Sequence, residues 1–299
     1  MPYDHRNTAR RTLALALAAA GCCAALAGCG ASQASPSAGK AQDAPDAQEA
    51  LRTSQSRPPL PVPTRSRSPL PISQSRSLAG RTVVIDPGHN SGNFRHTAEI
   101  NKKVNIGTTR KECDTTGTST DGGYTEASFT LDVSHRLRDL LTARGAKVVL
   151  THDGDRPWGP CIDERARIGN AARADAVVSV HADGSAVGNR GFHVILPARV
   201  SAGAADTAAI VGPSRRLGER IADTFARATG TSPANYLGGG TGLDVRSDLG
   251  GLNLSTVPKV FVECGNMRDP KDARLLTSST WRQKAAQGMA DGIATYLKG

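Results

Sequence analysis

The chain has 299 residues, of which 38% are apolar and only 4% aromatic, and a formal net charge of +10. That length holds one large domain or two small ones, and so few aromatics leave a core of Val, Leu, Ile and Ala, as in an α/β sheet with Ala-rich helices. The charge divides evenly, +5 in residues 1–80 and +5 in the rest; without a DNA- or RNA-binding motif or interleaved aromatics, it excludes nucleic acid as the expected partner.

Arg6, Arg10 and Arg11 precede the apolar stretch TLALALAAAGCCAALAG. A charged start followed by a short apolar run of small residues predicts an export signal rather than a membrane-spanning helix. The run closes on LAGC, Leu26 to Cys29, which looks like a bacterial lipobox with Cys29 as the acylated residue. An ordinary cleavable signal remains the alternative, and the Arg10-Arg11 pair hints at twin-arginine export. Residues 1–29 are therefore read as signal and 30–79 as a linker. Eight of the seventeen prolines fall in the linker among Ser, Gln and Ala, with no apolar periodicity. Such a stretch cannot bury enough surface to offset its ordering entropy.

From Arg81 the pattern alternates. RTVVID, AKVVLT, DAVVSVH, GFHVIL and PKVFVE read as buried strands. FTLDVSHRLRDLLTARG places Phe129, Val133, Leu137, Leu140 and Leu141 at helical spacing and stops at Gly145. CIDERARIGNAARA is helical. PSRRLGERIADTFARATG opens at Pro213, carries Leu217, Ile221 and Phe225 on one face and ends at Gly230, and STWRQKAAQGMADGIATYL is a closing helix. Apolar strands between helices predict an α/β fold: a single domain, residues 80–299, with a largely parallel twisted sheet covered by helices on both faces. In such sheets ligands bind beyond the carboxyl ends of the strands.

That rule gathers the candidate chemistry. His89 follows the first strand in VVIDPGH, His181 ends VVSVH, Glu263 ends KVFVE, and Glu126 opens the helix after YT. Two imidazoles and a carboxylate are the protein-ligand set of hydrolytic zinc sites, and a second carboxylate can serve as general base. Singly each is weak evidence: a His after a strand is more often a hydrogen-bonded polar residue, and a Glu in a first helical turn usually answers the helix dipole. His135 is read as a surface residue, and His96, His152 and His193 have no partner that the sequence can place.

VVIDPGHNSGN, GYTEASFTLDVSHRLRDLL, CIDERARIGNAARADAVVSVHADGS and VFVECGNMRDPKDARLL together resemble, in order, the hallmark segments of the zinc-dependent N-acetylmuramoyl-L-alanine amidases of the amidase-3 family. The likeness covers essentially all of 81–299 and is to the single-domain members of mycobacteria and other actinobacteria. It implies one Zn2+ per chain held by His89, Glu126 and His181, with Glu263 as the catalytic glutamate. It also implies cleavage of the amide between N-acetylmuramic acid and L-alanine in peptidoglycan or muropeptides. Arg246, in GLDVRSDLGG, is a candidate to pair with a stem-peptide carboxylate, with a surface Arg in a Gly-rich loop as the alternative.

The chain departs from the family pattern at three places. The stretch from His89 to Glu126 is long and contains Cys113, Cys264 stands where an apolar residue is usual, and His152 stands where Arg is frequent. Outside the cytoplasm Cys113 and Cys161 can pair as a disulfide; free thiols are the alternative. Neither a wall-binding repeat nor an autoinhibitory helix is evident. The expected partners are peptidoglycan or muropeptides and, through Cys29, the outer face of the cytoplasmic membrane; the chain is expected to be a monomer. A zinc peptidase acting within the stem and a non-catalytic wall-binding lipoprotein remain as other readings. The lack of an HExxH motif weighs against the first, and the four intact site residues against the second.

Overall fold

The computed structural model of the chain describes residues 77–299. The signal, the lipobox with Cys29 and nearly all of the linker lie outside the described residues. Leu78 is already buried, and its amide donates to the Arg144 carbonyl, so ordered packing begins two residues before the expected start at 80.

In chain order the strands are β1 Thr82–Pro87, β2 Lys103–Asn105, β3 Arg110–Glu112, β4 Lys147–Leu150, β5 Ala176–Asp183, β6 His193–Pro197, β7 Ser201–Ala202, β8 Ala205–Asp206, β9 Leu243–Arg246 and β10 Lys259–Asn266. The helices are α1 Thr97–Ile100, α2 Glu126–Ala143, α3 Ile162–Ala171, α4 Val211–Thr229, α5 Gly250–Asn253, α6 Pro270–Leu276 and α7 Ser279–Lys298. Six strands form the main sheet in the order β4-β1-β5-β10-β6-β9. The first four are mutually parallel, β6 runs antiparallel to β10, and β9 follows β6. The sheet is thus mostly parallel, as expected, with a reversed pair at one edge. β2–β3 and β7–β8 form separate two-stranded ribbons that the sequence pattern did not reveal.

Alternation along the strands sorts the two faces. One set, including Val83, Ile85, Val178, Val180, Val260 and Val262, packs under α2, α4 and α7. Phe129, Val133, Leu137 and Leu141 of α2 and Leu217, Ile221 and Phe225 of α4 are fully buried there, each stabilising the fold by about 1.5–3 kcal/mol. Leu140 is only partly buried at the rim of this core. Gly288 and Gly292 let α7 lie directly on α4, because a Cβ on either would stand 2.8 and 2.6 Å from the Cα atoms of Phe225 and Ile221. α4 starts at Val211 rather than at Pro213 and ends, as expected, on Gly230 with φ +70°. The other face carries Val84 and Val177 under α3 and then turns polar toward the strand ends.

Candidate metal centre

Strand period places the polar residues together. His181 of β5 and Glu263 of β10 are register partners, and Glu263 is also paired with His193 at the start of β6. Partnered residues point to the same face, so His193, Glu263 and His181 form one row at the rim where β1, β5 and β10 end. Below it, Ser179 is in register with both Phe261 and Asp86. Phe261 stacks on the His181 ring at 5.1 Å and holds its plane.

His89 enters from the loop after β1. Its φ is +60°, a region that costs a side-chain-bearing residue, and the surrounding contacts hold it there. Gly88 makes the approach possible, since a Cβ there would lie 2.4 Å from the His181 ring. Glu126 is the first residue of α2, behind the Thr125 cap whose side chain accepts from the Ser128 amide. Its carboxylate spans the two rings: Oε2 lies 3.1 Å from His89 Nε2 and Oε1 lies 3.0 Å from His181 Nδ1. The same oxygens accept the amides of Thr118 and Ala182. One donor atom from each of His89, Glu126 and His181 lies within 4.8 Å of the others.

Opposite charges face one another across these side chains. Burial opposes ionisation of Glu126, but His89 and His181 offset it and hold the carboxyl well below its usual range. Burial likewise opposes a charged His89, yet the carboxylates of Glu126 and Asp114 raise its pKa to about 10. His89 Nδ1 meets the Thr115 carbonyl at 3.1 Å and Asp114 at 3.5 Å. A proton held on Nδ1 by these oxygens leaves Nε2 as the nitrogen a metal would take, in exchange for its proton. Glu263 lies beyond the triad. Its Oε2 is buried with no partner among the described residues, and burial plus the charges of Glu126 and Asp183 push its pKa well above the ordinary 4.5. Two imidazoles, one anionic carboxylate and an unpartnered carboxyl beside them fit a divalent transition metal such as zinc.

The model of a family described as N-acetylmuramoyl-L-alanine amidase, Amidase_3, matches residues 83–295. The chain belongs to the amidase-3 family. It is 43% identical over 222 residues to N-acetylmuramoyl-L-alanine amidase Rv3717 of Mycobacterium tuberculosis, covering 74% of this chain and 88% of that protein. Among solved structures it resembles the amidase Ami1 of Mycobacterium smegmatis, with TM-score 0.68, 43% identity, and coverage of 74% of this chain and 98% of that one. Apo Ami1 of Mycobacterium abscessus is similar at TM-score 0.67 and 44% identity, covering 74% of this chain and all of that one.

Beneath the centre of this amidase-3 domain lies a buried charge network that sequence reasoning missed. Asp86, next to last in β1, accepts from Arg165 at 2.8 Å, Lys259 at 3.0 Å, Thr151 at 2.7 Å and the Ser179 hydroxyl. Its carboxyl is held well below the usual range although burial alone would raise it, because Lys259 and Arg165 face it. Arg165 also donates to Asp114 and to the carbonyls of Pro87 and His89, tying the His89 loop to α3. Cys113 and Cys161 form a disulfide next to Asp114 and the start of α3. Cys264 is a buried free cysteine, as read from its apolar position.

The remaining sequence candidates divide. Arg246 lines the centre with Glu263, but its guanidinium makes a two-point pair with Asp248, at 2.8 and 2.7 Å. The sequence could not place a partner for His152; it is buried, and its Nε2 lies 3.0 Å from the Pro87 carbonyl. His193 was also unplaced, yet it is buried beside Glu263, and burial lowers its pKa. Both were illegible because their partners are set by strand pairing. His135 is at the surface, 2.5 Å from Asp153.

Proposed function

We propose that this domain is a zinc-dependent amidase that hydrolyses the bond between N-acetylmuramic acid and L-alanine, with His89, Glu126 and His181 as ligands and Glu263 as proton carrier. The observation that carries the reading is the row in which Glu263 stands in register with His181 while Glu126 bridges both imidazoles. When bound, zinc would acidify water and polarise the lactyl carbonyl.

The protein's own groups account for the rest. Glu126 supplies the negative charge that retains a cation, and its bonds to the Thr118 and Ala182 amides fix its orientation. Phe261 and the Thr115 carbonyl orient the two rings. With a cation held by His89, Glu126 and His181, the charge of Glu126 would be countered, which would favour the ionised form of Glu263 that can act as base. Glu263 takes a proton from the attacking water and returns it to the L-alanine nitrogen as the C–N bond breaks. Arg246 and Lys111, both bound to Asp248, give the pocket wall a cationic edge suited to stem-peptide carboxylates. Relatives with amidase names support a wall-associated site of action, and LAGC supports attachment through Cys29.

The test is mass spectrometry of purified muropeptides after digestion. Free stem peptides beginning at L-alanine support the reading; shortened stems would show a peptidase, and unchanged muropeptides would sink the hydrolase. For the tether, a lipid-probe label lost in Cys29→Ser is expected, and an unlabelled wild type overturns it.

A further inference from the structure

A polar groove that Arg246 does not line adjoins the metal centre. It has a volume of about 660 Å3 and is continuous with the centre, since Thr118 and Gly184 line both. That volume lies within the range of small-ligand sites, roughly 300–1,000 Å3. Ser91, Thr116, Thr118, Ser119 and Ser185 bring hydroxyls to its wall. Among the described residues, those of Ser91, Thr118 and Ser119 have no protein hydrogen-bond partner, so they are free to bind a ligand or water. Phe94 lines the groove while 62% exposed, an uncommon position for a large apolar ring. Arg268 is the ionisable lining residue, and Asp121 neutralises it at 2.9 Å.

A second approach shares no lining residue with this groove and differs chemically. It is lined by Lys111, Asp248, Leu249, Ile162 and Phe261, and so joins charge to aliphatic surface. The substrate assigned above has two halves that divide the same way. The peptide carries carboxylates and alkyl groups; the sugar is uncharged and rich in hydroxyl and acetamido groups. We infer that the groove between Phe94 and Ser185 is the subsite for the N-acetylated sugar, with Phe94 as the platform for a pyranose ring and the free hydroxyls as hydrogen-bond partners. This rests on the amidase reading and adds to it which side of the centre takes the glycan. The rim glycines let the groove reach the metal ligands: a Cβ at Gly117 would lie 2.8 Å from Glu126 Oε2, and one at Gly184 would lie 2.7 Å from Thr118 Oγ1.

The probe is the disaccharide N-acetylglucosaminyl-N-acetylmuramic acid with its lactyl carboxyl capped as the methylamide and no peptide, titrated into the full chain by calorimetry or ligand-observed NMR. The wild type binds it, Phe94→Ala binds about tenfold more weakly through loss of one ring face, and Phe94→Trp restores binding. With a disaccharide-peptide substrate, Phe94→Ala raises KM by a similar factor and leaves kcat unchanged. Phe94 is too exposed for its loss to unfold the domain, so equal melting temperatures are expected. Absent disaccharide binding, or equal binding by Phe94→Ala, overturns the groove and leaves the reaction standing if stem peptide is still released. A wild type that binds the disaccharide through Phe94 but releases no stem peptide supports the groove and overturns the reaction.

Discussion

Glu263→Gln separates proton transfer from everything else the residue does. In the metal-free protein the Glu263 carboxyl is pushed toward its neutral form, its pKa raised first by burial and then by Glu126 and Asp183. The unfolded chain ionises it near the ordinary 4.5. Its favourable protonation in the fold is complete below that value and is lost as pH rises toward the folded pKa. Within that window the folded state holds one extra proton, and stability falls by up to about 1.4 kcal/mol per pH unit. That slope is a ceiling, and partial solvent access reduces the expected loss across the window to about 1–2 kcal/mol. Glutamine keeps the shape and removes the titration. In chelator the variant should therefore match wild type near pH 4.5 and melt about 3–6 °C higher at pH 7. With zinc restored, metal content should be unchanged and turnover should fall by roughly 100- to 10,000-fold. Differential scanning calorimetry across pH, with metal analysis and muropeptide turnover, measures all three. A Tm difference that stays flat from pH 5 to 7.5 would show that burial and the neighbouring carboxylates do not hold Glu263 protonated, and turnover unchanged in the variant would refute its role as proton carrier.

Three further outcomes follow from the same contacts. His89→Ala and His181→Ala should lose most bound zinc, and Glu126→Gln should weaken it by about 10- to 100-fold; full metal content in all three refutes the ligand set. Asp86→Asn leaves Lys259 and Arg165 facing each other without their shared anion and should cost about 3–5 kcal/mol in urea unfolding. Adding Lys259→Met should recover much of that loss, and no recovery would show that the charge imbalance is not the cause. Replacing Cys113 and Cys161 together by Ser opens a loop with sequence separation 48, for which chain entropy gives about 4 kcal/mol, and a stability change below about 1 kcal/mol would show that the unfolded chain gains little freedom.

Much of the centre was legible in the sequence because its placement follows local rules. A strand of period 2 that ends on VVSVH or KVFVE delivers its last polar residue to the sheet rim, and a Thr-Glu pair before an apolar helical run fixes a capped helix start. Four such positions made His89, Glu126, His181 and Glu263 candidates, and the resemblance to the amidase-3 family implied their roles; the structure brings the donor atoms of His89, Glu126 and His181 together, and the alternation of strands and helices gave the fold class. What supports them depends on distant partners. Asp86 meets Arg165 and Lys259 from 79 and 173 residues away, and Asp114 reaches His89 only because Arg165 and the disulfide hold its loop over the strand ends. The reversal of β6 puts His193 beside Glu263, yet GFHVIL has the same apolar pattern whichever way it runs. Hydrophobic period sets which face a residue takes, whereas strand order and direction are set by loop closure and packing across the whole sheet. So the sequence by itself determined which residues reach the rim, and only the tertiary structure decided which neighbours charge, orient and enclose them.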